Sequence, residues 1–112
     1  MTLMEEAELN IRTFTKEELK DIAKNIAIEH NVSYEVMDTV VECESRWNPD
    51  AIGDNGNSYG LVQIFMPIWK DEITIEQATE PYFSLHFLGD KLSKGEGRLW
   101  TCYRKLQGLS AK

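Results

Sequence analysis

Along most of this chain the apolar residues recur at helical rather than strand spacing, which restricts it to a mainly helical fold. Leu19, Ile22, Ala23 and Ile26 share one helical face. Thr15-Lys16-Glu17-Glu18 just before them offers a cap whose partner acid stands three residues on. A first helix is therefore expected to about Glu29, broken at His30-Asn31. Ser33 can cap a second helix through Tyr34 to about Arg46. Asn48-Pro49 should stop it, because proline keeps its predecessor out of the helical region. Asp50 to Ser58 is dense in Asn, Asp and Gly, which predicts a structured turn or short hairpin. Tyr59 to Ile64, interrupted by Gly60 and Gln63, fits either a brief strand or a bend, and Met66-Pro67-Ile68-Trp69 a helical turn. Thr74 can cap a short helix containing Ile75, Gln77 and Ala78. A longer one opens near Pro81 with Phe83, Leu85, Phe87, Leu88 and Leu92. After a turn at Gly95 and Gly97, a last helix from about Arg98 carries Leu99, Cys102, Tyr103 and Leu106 before Gly108, at core-packing spacing.

With 112 residues, the chain fits one domain, expected at 15–108, with a lead-in at 1–14 and a tail at 109–112. Nineteen acidic against 12 basic residues leave a formal charge of -7 and no Lys/Arg cluster, which argues against a nucleic-acid partner. A neutral sugar groove is compatible with that balance, although encounter with anionic polymers would gain little from steering. No stretch has the length and hydropathy of a transmembrane helix, and Met1-Thr2-Leu3-Met4-Glu5-Glu6 lacks the basic and apolar regions of a secretory signal. A soluble monomer is expected; a processed product, or exit from the cell through an export or lysis partner or by lysis, is compatible with that. Cys43 and Cys102 either form one disulfide or remain free and buried. Their spacing has no zinc-site logic, and His30 and His86 lie far from both in sequence.

The second helix carries the chemistry. Val36, Met37, Val40, Cys43 and Trp47 crowd one side, and Glu44 falls within that arc while Glu42 points almost oppositely. A carboxylate entering an apolar face is costly unless it is paired, protonated or at the edge of a cleft. The structural alternative is a glutamate paired with an arginine or capping nearby backbone.

Glu44-Ser45, then Asn48-Pro49-Asp50-Ala51, then Gly60-Leu61-Val62-Gln63-Ile64 follow one another in order over about 21 residues. This succession resembles the signature of the lysozyme-like superfamily, in particular the soluble lytic transglycosylase domain. Trp69, Glu80-Pro81 and Trp100 to Tyr103 resemble later landmarks, so the resemblance spans roughly Ile22 to Leu106. It implies a mainly α, α+β lysozyme-like fold with a short irregular loop or hairpin after the catalytic helix. It also implies an enzyme acting on peptidoglycan glycan strands, at the periplasm or extracellular cell wall and without metal or organic cofactor.

On that resemblance Glu44 is the general acid toward the glycosidic oxygen between N-acetylmuramic acid and N-acetylglucosamine, an alkoxide leaving group that needs a proton. In a lytic transglycosylase it then serves as base while the sugar 6-hydroxyl closes an anhydro product. Gly53-Asp54-Asn55-Gly56-Asn57 before Tyr59-Gly60-Leu61 resembles the goose-type lysozyme version of the segment, with Asp54 at an acidic position associated with water activation. Asp54 would then make the enzyme a hydrolytic muramidase; its structural alternative is an Asx turn or loop cap, a role open to Asp50 as well. Phe65 stands where the family can carry a further Asp, and Ser58 where chicken-type lysozymes carry an acid; both are departures. Gln63 and Tyr59 are candidates to meet sugar or to brace the groove wall, and Ser45 to hydrogen-bond in the groove or cap the helix end. Gly60 is expected to permit close backbone approach, and Trp47 to be scaffold. Tyr103 resembles the tyrosine of a late Tyr-Asn pair directed at the acid, but Arg104 replaces the Asn. The non-enzyme reading is a catalytically inactive cell-wall-binding module that kept the fold.

Overall fold

The computed structural model describes residues 14–106. The expected lead-in, apart from Phe14, and the tail at 109–112 lie outside the described residues. The chain is mainly helical, with a small three-stranded antiparallel sheet. Helix α1 (Lys16–His30) starts on the capping box anticipated for it: the Thr15 hydroxyl accepts from the Glu18 N–H while the Glu18 carboxylate accepts from the Thr15 N–H. Asn31, with φ 56°, turns the chain out at its far end. Helix α2 (Tyr34–Ser45) begins on Ser33, whose hydroxyl accepts from the Val36 N–H. It ends in two successive left-handed residues, Arg46 (φ 55°) and Trp47 (φ 63°), so the helix is over before Pro49.

Strand β1 (Ile52–Gly53) leads through a 3-10 turn (Asp54–Gly56) to β2 (Ser58–Tyr59), and β3 (Ile64–Phe65) completes the sheet in the order β1-β2-β3. The registers are Ile52 opposite Tyr59 and Tyr59 opposite Ile64. Helix α3 (Met66–Trp69) follows, then α4 (Ile75–Thr79) on its Thr74–Gln77 capping box. Helix α5 (Pro81–Ser93) starts where Glu80 accepts from the Phe83 N–H. A 3-10 turn at Gly97–Leu99 and helix α6 (Thr101–Leu106) close the described chain.

α1 packs against α2 and α5, α2 against α6, and α4 against α5. Leu19, Ala23 and Ile26 of α1, Met37, Val40 and Val41 of α2, Leu85 and Leu88 of α5, and Leu61, Val62 and Ile64 between them form the core. Each buried leucine of this kind stabilises by roughly 1.5–3 kcal/mol relative to exposure.

Two helix-face expectations are corrected. Of the expected arc Val36, Met37, Val40, Cys43 and Trp47, Met37, Val40 and Trp47 are buried and Val36 partly so, but Cys43 is exposed; Val41 and Ser45 are buried in its place, so the inward face is rotated toward Glu44. The reason is that α1 and α6 clasp α2 from two directions, whereas the apolar count considers one. The last helix starts at Thr101, not near Arg98, because Trp100 is extended (φ -106°, ψ 128°) to push its indole into the core. Leu99 and Leu106 are consequently exposed, not packed.

Candidate active site

The site is built where the C-terminal end of α2 meets the loop and strands that follow. Three consecutive carbonyls of the loop after β2 are each held by a side chain. The Gly60 carbonyl accepts from Gln63 Nε2 at 3.0 Å, the Leu61 carbonyl from the Ser45 hydroxyl at 2.8 Å, and the Val62 carbonyl from the Trp100 indole N–H at 2.7 Å. Buried backbone acceptors must find such donors. Here the donors come from the loop itself, from α2 and from the approach to α6, so one short segment fixes three parts of the fold against each other.

Gln63 also reaches the Ala51 carbonyl at 3.1 Å, with its own backbone at φ 54°, so it braces the start of the hairpin from inside. Its Oε1 lies so close to Gly53 that a β-carbon there would collide with it. Ser45 is buried, and its hydroxyl has the Val41 and Leu61 carbonyls as partners. Neither side chain therefore presents its donor group to an open groove. Gly60, at φ 87°, makes the close approach expected of it, and the backbone it meets is that of Ala78 in α4. Trp47 is scaffold: it is buried and its indole N–H donates to Asp38 at 3.0 Å.

Glu44 is half-buried on the inward face of α2. Burial is the largest influence on its carboxyl group and raises its pKa above the usual carboxylate range. The Cys102 backbone N–H donates toward it and pulls the other way, the negative charge of Asp54 pushes it up, and Lys105 draws it down. Two neighbouring elements thus act on one acid: α6 through Cys102 and Lys105, and the hairpin turn through Asp54.

Asp54 occupies that turn with φ 51°, followed by Asn55 at φ 58° and Gly56 at φ 87°. Three left-handed residues in succession are uncommon and, for the two non-glycines, carry backbone strain. The Ser58 hydroxyl donates to Asp54 Oδ2, which fixes the carboxylate against the base of the hairpin. Asp54 is itself exposed. Sequence reasoning missed Ser58 and Trp100 as parts of this arrangement; Ser58 gave no signal beyond its place four residues after Asp54. Asp50 sits in an Asx turn, its N–H donating to Asn48 Oδ1 at 3.0 Å.

Tyr59 is partly buried against the core. Tyr103 packs its ring on Gly97 and lines a hollow with Val36 and Leu92. Val36, on the first turn of α2, and Leu92 of α5 are thus among the side chains that share this hollow with the Tyr103 ring. Cys43 and Cys102 form a disulfide with a Cα–Cα distance of 6.1 Å. Among the described residues, no three or more His, Cys, Asp or Glu side chains gather in a way that could hold a metal ion. What the arrangement offers chemically is a carboxyl group biased toward its protonated form, with a second carboxylate electrostatically coupled to it. Comparison with protein-family models, curated proteins and solved structures finds no match for this chain.

Proposed function

We propose that this chain cleaves the β-1,4 bond between N-acetylmuramic acid and N-acetylglucosamine in peptidoglycan, as a lytic transglycosylase with Glu44 acting first as acid and then as base. The observation that carries the reading is the half-buried Glu44 carboxyl, raised in pKa chiefly by burial, at the head of the Glu-Ser, Asn-Pro-x-Ala and Gly-Leu-x-Gln succession. A general acid of this kind must keep its proton near neutral pH yet release it to a leaving oxygen, and burial biases it in the required direction. The anhydro product needs no second carboxylate, because the substrate's own 6-hydroxyl closes on the glycosyl centre.

One observation favours a second reading, a goose-type-like muramidase. Asp54 is held by Ser58 and its charge acts on Glu44, as a water-positioning carboxylate opposite the acid would require. Either reaction places the protein at the periplasmic or extracellular cell wall. The disulfide is compatible with an oxidising compartment, and no helix of the described residues is long and apolar enough to cross a membrane.

Purified protein incubated with peptidoglycan, with the released ends identified by mass spectrometry, tests both readings. Anhydro-muramyl ends choose transglycosylation and reducing ends choose hydrolysis. Glu44→Gln should lower either rate by at least about 100-fold with the fold intact. Unchanged cleavage in that variant removes Glu44 from the reaction, and binding to the wall without products of either kind leaves a non-catalytic wall-binding module.

A further inference from the structure

The disulfide and the acid are adjacent twice over. Cys43 immediately precedes Glu44 on α2, and Cys102, at the start of α6, supplies the backbone N–H that reaches the Glu44 carboxyl group. Lys105, one turn further along α6, also acts on that carboxyl group, and α6 packs against α2, which carries the acid. α6 opens at Thr101. It is held by the Trp100 indole at its approach and by the covalent bond to α2. The two sulfurs are unequal in access. Cys102 is buried, whereas Cys43 is exposed and lines a surface hollow with Lys20, Asp38, Thr39 and Glu42.

We propose that the Cys43–Cys102 disulfide is a positioning device for Glu44, clamping the start of α6 over the acid so that thiol reduction turns the site off. This rests on Glu44 being the acid of the proposed glycan cleavage. A dithiol supplies the two electrons. One of its thiolates attacks the exposed Cys43 sulfur and expels Cys102 as thiolate; its second thiolate then closes the reagent's own disulfide and expels Cys43. Each released cysteine takes up a proton. With the clamp open, α6 lifts and water reaches Glu44. The groups that face the carboxyl group are Asp54 from the hairpin turn and Lys105 from α6. Lifting α6 also takes away the Cys102 N–H and Lys105, which both lower the pKa, but burial is the largest of the influences on Glu44. Its loss therefore sets the net direction, down toward the usual carboxylate range, and the acid holds its proton less tightly.

The test compares the full chain before and after treatment with dithiothreitol, and the variant C43A/C102V, in two measurements. The first is the pH profile of peptidoglycan cleavage. Reduction should lower the rate near neutral pH by about tenfold or more, with a smaller loss at acid pH, so that the profile shifts to the acid side. The second is the Glu44 side-chain carboxyl titration followed by carbon NMR, which reads the coupling whether or not the chain cuts glycan. Its midpoint should fall on reduction and in the variant while near-UV circular dichroism stays native. An unchanged midpoint overturns the proposal, as does activity lost only together with global unfolding. A shifted midpoint in a chain that cleaves no glycan keeps the positioning role and removes the proposed function instead.

Discussion

Glu44 is subject to opposed demands. Burial on the inward face of α2 disfavours its charged form, yet it must ionise when it gives up its proton. The consequence for stability has a definite sign. A carboxyl group with a raised folded-state pKa binds its proton more tightly folded than unfolded, so its contribution is fully present below the unfolded pKa and lost as pH rises through the folded one. Glu44→Gln removes the ionisation and should raise the melting temperature near pH 7, an advantage that disappears below the ordinary glutamate pKa, where the wild-type side chain is protonated in both states. Thermal melts of both proteins across pH measure this directly; a Gln variant less stable than wild type at pH 7 contradicts an acid held against its ionisation. Asp54 separates the two reactions. Asp54→Asn should abolish hydrolysis while leaving anhydro-product formation within a few-fold, and a loss of both products would mean that the turn supports the site mechanically.

The loop after β2 depends on donors far apart in sequence, and it sets what a single substitution there costs. Ser45→Ala leaves the Leu61 carbonyl without its side-chain donor in a buried position, a loss of about 1–3 kcal/mol. Denaturant unfolding should show this as a lower midpoint at constant m-value. Gly60→Ala meets both a positive φ and the Ala78 backbone, so it should cost more than Ser45→Ala in the same assay; a near-neutral result would mean that α4 can withdraw from the loop. These contacts also mark what could be read from the chain in advance. The capping box at Thr15 and the caps at Ser33 and Thr74 are local, determined within four residues, and they appear where expected, the Thr74 cap being completed to a box by Gln77. The hairpin was legible from its Asn, Asp and Gly content for the same reason. The inward rotation of α2, the burial of Ser45 and the extended backbone at Trp100 are settled by partners 16 to 59 residues away, and no window of neighbouring residues contains them. Glu44 stands out in the sequence because inward placement and the succession after it coincide at one residue. Gln63 and Tyr103 were singled out as residues near a groove, but the contacts that hold them are the Ala51 and Gly60 carbonyls and the Gly97 hollow.

Charge acts over the whole surface and bears on the encounter with substrate more than on chemistry. The chain carries -7 at neutral pH, and peptidoglycan with its associated wall polymers is itself anionic, so the two repel at long range. The range of that repulsion is the Debye length, about 30 Å at 0.01 M salt and about 8 Å at 0.15 M. Raising ionic strength between these limits should therefore increase kcat/KM on intact cell walls, mainly through KM, whereas the steering of a basic wall-lytic protein would produce the reverse. On short uncharged chitin-type oligosaccharides the same salt change should leave kcat/KM nearly flat, because there is no charge on the substrate to screen. A rate on walls that falls steeply with added salt would show that a local cationic surface outweighs the net charge. Arg98, in a hollow with Trp69 and Leu99 where Glu96 already pairs with Lys91, is the cation to test, by Arg98→Ala. If that variant flattened the salt dependence while Glu44→Gln, with chemistry blocked, still bound walls with the original dependence, encounter and catalysis would be separable on this small domain.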